Sequence, residues 1–307
     1  MSLVVIGSIA FDSVKSPFGE RERMLGGSAV HFSLAASFFC DVRVVGPVGD
    51  DFGEAEYAVL RDRGVNTDDV ERVEGGETFF WRGHYDHDLN TAHTDETRLG
   101  VFGDFRPKLS EEARQSEMVF LGNIQPGLQH EVREQCEAAR LVALDSMNLW
   151  IDTARESLER AITGVDLVLM NDAEIRMFTE EPNRVRAARA IMDLGPRAVV
   201  AKQGEYGAAL YTQSGFFALP AFPLETVNDP TGAGDSFAGG FLGYLASQNG
   251  HADESDAAFR RAMTYGSVMA SFCVEEFGTE RVGRLTREEI DERFAEFERI
   301  TTLDARE

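Results

Sequence analysis

The chain is expected to fold as an α/β protein with a doubly wound, mainly parallel central sheet flanked by helices. Three observations lead there. Short apolar runs recur without polar alternation, the mark of strands buried on both faces. Helical stretches separate them along most of the sequence. At 307 residues and 43% hydrophobic, the chain can also bury a full core.

The elements follow in order. Leu3 to Ile6 reads as a buried strand, Ala29 to Phe39 as a mostly apolar helix, and Val42 to Val48 as a strand. Glu54 to Arg63 reads as a helix ended by Gly64. Strands are expected at Met118 to Leu121, Leu141 to Leu144, Leu167 to Met170 and Ala198 to Ala201. Helices alternate with them near Leu128 to Ala139, Thr153 to Ile162, Ala173 to Phe178 and Arg184 to Leu194. Ala208 to Tyr211 and Phe216 to Leu219 suit a hairpin, and helices close the chain near Asp235 to Ser247, Glu254 to Cys273 and Arg287 to Arg299. Two stretches break this rhythm. Residues 12–25 are polar and turn-rich, and residues 73–105 carry Thr78, Phe79, Phe80, Trp81 and Tyr85 without a helical signature. Both are read as a small β-flap, or lid, on one domain spanning 1–307.

Charge narrows the function. With 53 Asp+Glu against 30 Lys+Arg, the net charge is −23. That argues against a protein that coats nucleic acid or docks on an anionic membrane. The basic residues are nearly all arginine, with lysine only at Lys15, Lys108 and Lys202. The acid excess fits either a salt-rich host or plain codon bias with acidic drift. No apolar run reaches the roughly 18 residues of a membrane span. The N-terminus lacks the basic region of a signal peptide. Cys40, Cys136 and Cys273 are too scattered for a disulfide framework or a Cys-based zinc site. Free thiols suit a cytoplasmic location.

The sharpest local feature is Asn228-Asp229-Pro230-Thr231-Gly232-Ala233-Gly234-Asp235-Ser236-Phe237, followed by the apolar residues of a buried helix. A turn with Gly232 and Gly234 opening into a helix can aim backbone N–H groups at an anion, and the helix dipole adds to that field. Neither GxxxxGK[ST] nor GxGxxG is present at this turn. Gly239, Gly240 and Gly243 leave one side of the helix thin enough for close packing.

Thr231-Gly232-Ala233-Gly234-Asp235 resembles the C-terminal signature of the ribokinase-like (PfkB) sugar and nucleoside kinases. Other segments resemble that family's motifs in the same order: Gly7 to Asp12, Gly26-Gly27-Ser28, Val45 to Gly53, Asn171-Asp172-Ala173-Glu174, and Lys202 to Gly207. The resemblance covers nearly the whole chain. It implies an ATP-dependent phosphotransferase acting on a hydroxyl of a small sugar, with a nucleoside as the alternative acceptor. A non-catalytic sensor on the same fold is the reading from a different class, and the intact catalytic set speaks against it.

By the same resemblance, Asp235 is the general base, expected to be ionised because a helix N-terminus lowers a carboxylate pKa. Gly232, Ala233 and Gly234 form the anion hole. Asn171 and Glu174 order Mg²⁺, although the same pair alone would be a capping box. Asp12, Gly26, Gly27 and His31 are expected at the acceptor; His31 stands where the family has Asn, and a core histidine is an equal reading. Lys202, Gly204 and Gly207 are expected at the nucleotide, the glycines as backbone contacts ahead of the lysine as a charge. Asp229 marks a loop that binds a monovalent cation in some members, so K⁺ joins ATP and Mg²⁺ as a candidate. The aromatic residues of the lid can cover the acceptor or clasp a second copy as a homodimer. His84, Asp86, His87, Asp88, His93 and Asp95 match no known zinc spacing and read as polar lid decoration.

Overall fold

The computed structural model describes residues 1–248 and 256–302. Its strands, in chain order, are β1 (Leu3–Ile6), β2 (Ala10–Ser16), β3 (Gly19–Gly26), β4 (Val42–Val48), β5 (Asn66–Arg72), β6 (Phe79–Tyr85), β7 (Ala92–Arg98), β8 (Met118–Leu121), β9 (Leu141–Asp145), β10 (Leu167–Asn171), β11 (Ala198–Lys202), β12 (Ala208–Thr212) and β13 (Phe216–Leu219). Nine form one sheet in the order β13-β12-β11-β10-β9-β8-β1-β4-β5. All its pairings are parallel except β11–β12 and β12–β13. The chain moves outward from β1 in both directions, so the sheet has a switch point there, with its crevice at the carboxyl ends of the strands.

Alternation along each strand splits the core into two layers. Leu3 and Val5 join Phe32, Phe120, Phe237 and Phe241 on one face. Val4 and Ile6 join Val119, Leu121, Val142 and Leu144 on the other. The Phe32 and Phe120 rings stack with centroids 4.3 Å apart. Helix Ala233–Ser247 lies in the first layer, wedged between helices Ser28–Ala36 and Asp256–Cys273. A Cβ on Gly239 would stand 2.4 Å from the Phe32 carbonyl oxygen, and one on Gly240 2.7 Å from Met269. The thin face read from the sequence is where these backbones meet.

The remaining strands form a second sheet, β3-β2-β6-β7, built from the two stretches that interrupt the α/β rhythm. The structure departs from expectation at β5, an edge strand of the main sheet that the sequence reading left out. Its residues, Asn66-Thr67-Asp68-Asp69-Val70-Glu71-Arg72, are mostly polar because an edge strand is only half covered. Helix Ser28–Ala36 stops three residues short of the predicted end, and the predicted helix near Thr153 to Ile162 divides into Asn148–Thr153 and Arg155–Thr163. The helix expected from Glu254 is described from Asp256; Glu254 lies outside the described residues. No helix among the described residues is long and apolar enough to cross a membrane.

Candidate active site

The site gathers where the sheet's carboxyl ends meet the start of helix Ala233–Ser247. Asp229 is buried, and both its oxygens accept backbone N–H groups, from Thr231 at 2.9 Å and Gly278 at 3.0 Å. It fastens the turn to the segment after helix Asp256–Cys273. Gly232 then takes φ +77°, a left-handed conformation costly for any residue with a Cβ. A Cβ there would also lie 2.4 Å from the His31 ring. The Ala233 N–H donates to the Pro230 carbonyl at 3.2 Å, whereas the N–H groups of Gly232 and Gly234 find no acceptor among the described residues. Two of the three expected anion-hole donors are therefore open, and Ala233's is spent on the turn.

Asp235 sits in the first helical turn. Burial raises its pKa to about 7 and the nearby Asp145 charge adds to the rise, while Lys202 and its own backbone N–H pull it back. This corrects the expectation that the helix N-terminus alone would keep it ionised: desolvation outweighs the dipole. Asn171, ending β10, and Lys202, ending β11, are direct register partners. Asn171 Oδ1 accepts the Glu174 N–H and Glu174 Oε2 accepts the Asn171 N–H, each at 2.8 Å, so a capping box is fully formed. Burial first, then the Asp145 charge, raises the Glu174 carboxyl above its ordinary range.

Asp145 was absent from the sequence reading, which ended its strand one residue early. It closes β9 and receives a hydrogen bond from Lys202 Nζ at 2.7 Å. The available signal was its position: like Asn171 and Lys202, it is the first polar residue after a fully apolar parallel strand. The cleft thus holds Asp145, Glu174 and Asp235 around one lysine. Such an oxygen-rich, acid-heavy set fits a hard divalent cation held through water, the Glu174 Oε1 lone pairs being free of the capping box.

Asp12, on β2, is buried; its Oδ2 accepts the Gly27 N–H at 3.3 Å. A Cβ on Gly26 would fall 2.0 Å from that oxygen, and Gly27 has φ +94° against the Ser8 carbonyl, so the Gly-Gly turn is moulded onto Asp12. Burial raises the Asp12 pKa to about 7; the Gly27 N–H opposes this, and the charges of Asp229 and Asp235 reinforce it. His31 is buried beneath Gly232, its pKa lowered to about 4 by desolvation, with Nδ1 3.9 Å from Cys273 Sγ and Nε2 unpartnered. It is a neutral ring under the turn.

The small sheet reaches the site through Asp12 and Tyr85. Asp12 pairs in register with Trp81, so Asp12, Trp81, Gly83 and Tyr85 share one face. Tyr85 Oη lies 3.1 Å from Thr231 Oγ1, and its pKa is raised mainly by burial. The indole lies over Gly83, where a Cβ would stand 2.3 Å from the ring, and Nε1 donates to Thr94 at 3.1 Å. Phe80 points to the other face, with Arg98 and Arg82 over its ring; Arg82 pairs with Glu22, and Arg98 with Glu77 and Glu96. Phe79 packs on Phe102, and Arg106 donates to the Phe105 carbonyl.

The Gly204-Gly207 turn follows Lys202, with φ +56° and +96° at the two glycines. Asn90, at the tip of the small sheet, donates to Glu205 at 3.4 Å and lies 2.9 Å from where a Gly204 Cβ would stand. His84 pairs with Asp95 and His93 with Asp86, each at 2.9 Å. Among the described residues no group of three or more His, Cys, Asp or Glu is arranged to hold a metal directly.

The raised carboxyl groups set a pH dependence. Asp12, Glu174 and Asp235 keep protons in the folded state that the unfolded chain, at ordinary carboxylate pKa values near 4, releases. Their contribution to stability is complete below about pH 4 and is lost as pH rises through about 7. The ligand-free protein should therefore melt higher at pH 6 than at pH 8, by differential scanning fluorimetry at fixed ionic strength. A lower melting temperature at pH 6 would contradict this electrostatic account.

A family model described as pfkB family carbohydrate kinase matches residues 3–283. The cytidine kinase of Thermococcus kodakarensis is 30% identical over 255 residues, covering 79% of this chain and 87% of that protein. The ATP-dependent ribose-1-phosphate kinase of Halopiger xanaduensis is 29% identical over 222 residues, covering 71% and 72%. Among solved structures, a nucleoside kinase of Burkholderia thailandensis in complex with inosine superposes with a TM-score of 0.80 at 23% identity, covering 97% of this chain and 98% of that one. At that identity the likeness speaks for the fold.

Proposed function

Because the chain belongs to the pfkB family of carbohydrate kinases and is an ATP-dependent kinase, we propose that its acceptor is a neutral nucleoside, phosphorylated on a sugar hydroxyl. The observation that carries this is the register pairing of Trp81 with Asp12. An acidic group suited to sugar hydroxyls then lies beside a flat indole suited to a base. The free small sugar that the family resemblance favours would leave that indole unused. A phosphorylated acceptor, as the Halopiger enzyme's name implies for that protein, would call for basic side chains beside Asp12, whereas Arg82 and Arg98 lie on the opposite face of the small sheet.

In this reading Asp12 accepts hydrogen bonds from the sugar, with Gly26 and Gly27 giving the backbone room to approach. Asp235 receives the acceptor's proton as the oxygen–phosphorus bond forms. Its pKa near 7 places it close to the working range of a general base. Bound ATP supplies the phosphoryl group, whose bond to the β–γ bridging oxygen breaks as ADP leaves. The Gly232 and Gly234 N–H groups stabilise the charge on that group, and the Gly204 and Gly207 turn flanks the nucleotide. Asn171 and Glu174 would hold Mg²⁺ through water. Asp229, buried and hydrogen-bonded to Thr231 and Gly278, would shape its loop for a monovalent cation such as K⁺. The small sheet acts as a lid on one kinase domain, and its exposed edge β7 is the surface for a homodimer clasp.

Trp81→Ala should raise KM for the preferred nucleoside roughly tenfold or more, the scale of one base–aromatic stack. Its kcat, and KM for free ribose, should stay near wild type in a coupled ADP-release assay. Equal losses on ribose and nucleoside would defeat the stacking role, and turnover of free sugars alone would defeat the nucleoside reading.

A further inference from the structure

Lys202 is the basic side chain at the centre of the acidic cleft. Its ammonium has three donors. One goes to Asp145 Oδ2 at 2.7 Å, and the others find no acceptor among the described residues. The two side chains are 16% and 7% exposed. Asp145 is fixed in turn: its Oδ1 accepts the Ser146 N–H at 2.8 Å, and its carbonyl accepts from the fully buried Gln129 at 2.9 Å. Lys202 Nζ would stand 3.0 Å from a Cβ on Gly234. It therefore faces the helical turn where the Gly232 and Gly234 N–H groups are open. A buried pair that served stability alone would be expected to spend all its donors internally, since desolvating an ammonium is costly. This ammonium keeps donors in reserve at an anion-binding turn.

Resting on the kinase reading above, we propose that Asp145 is a positioning residue that holds the Lys202 ammonium at the Gly232–Gly234 turn, where Lys202 meets the terminal phosphate of ATP. The sequence reading ranked the neighbouring glycines above Lys202; the proposal gives the lysine a phosphate contact beside them.

The test is calorimetric binding of adenylyl imidodiphosphate and of ADP, with Mg²⁺ and without any acceptor. The result is then independent of what the acceptor is. Lys202→Met should weaken imidodiphosphate binding by on the order of tenfold to a hundredfold, the worth of one charge-assisted contact, and leave ADP within about twofold of wild type by the same reasoning. Lys202→Arg should retain most of the affinity. Asp145→Asn should show the same selective loss, and the double variant should be no weaker than Lys202→Met alone. Equal weakening for both nucleotides, or full imidodiphosphate affinity in Lys202→Met, overturns the proposal. If Asp145→Asn does not fold, selective loss in Lys202→Met with retention in Lys202→Arg upholds the phosphate contact, and lack of selectivity rejects it. Failure here leaves the acceptor reading intact, because that reading is tested by Trp81→Ala.

Discussion

Asp235→Asn should lose about 10³-fold in kcat, within the range that a positioned general base supplies. The amide matches the carboxylate in shape but cannot take the acceptor's proton. Helix Ala233–Ser247 and the open Gly232 and Gly234 donors should be undisturbed, since neither depends on the Asp235 side chain. Nucleotide affinity should hold or tighten, because the substitution removes a negative charge from a cleft that already contains Asp145 and Glu174. The pair of measurements is kcat by coupled ADP release and nucleotide Kd by calorimetry. A variant with more than a tenth of wild-type kcat would remove Asp235 from the mechanism. Loss of nucleotide binding alongside kcat would point to a collapsed turn.

Gly232→Ala should be nearly as damaging, for a different reason. At φ +77° an alanine pays about 1–2 kcal/mol of backbone strain. Its Cβ would also stand 2.4 Å from the ring of the buried His31. The turn must shift, and its N–H donors shift with it. Losing one anion-hole donor typically costs about 10²–10³ in kcat, so a fall of that order is expected together with a lower melting temperature. Adding His31→Ala should recover part of the stability by relieving the clash, and little of kcat, because the φ strain remains. Wild-type kcat in Gly232→Ala would show that the turn does not act through its backbone geometry.

What was legible in the sequence follows from what local pattern encodes. β1, β8, β9, β10 and β11 are unbroken apolar runs because both faces of a parallel strand are covered, and no other arrangement explains them so simply. The glycines of the Gly232–Gly234 turn were legible because tight approach, and positive φ at Gly232, disfavour other residues. β5 was not legible: its polar residues belong to an edge, and edge position is a property of the whole sheet. Asp145 was hidden similarly, since its partner Lys202 is 57 residues away and only the β9–β10–β11 stacking brings them together. The Asp235 ionisation was misjudged because the helix dipole can be read from sequence and desolvation cannot. Which aromatic side chain shares a face with Asp12 depended on β2–β6 register, which separates Trp81 from Phe80 by a single residue of alternation.

Two of the hydrogen bonds that tie the small sheet to the main body run from Tyr85 to Thr231 and from Asn90 to Glu205. One ends beside the Gly232–Gly234 turn and the other beside the Gly204–Gly207 turn. Under the proposed function, a cover fastened beside both turns would limit the path of bulk water to the transferring phosphoryl group. Water rivals the acceptor hydroxyl, so polar contacts that take no part in the chemistry would curb wasteful hydrolysis of the phosphoryl donor.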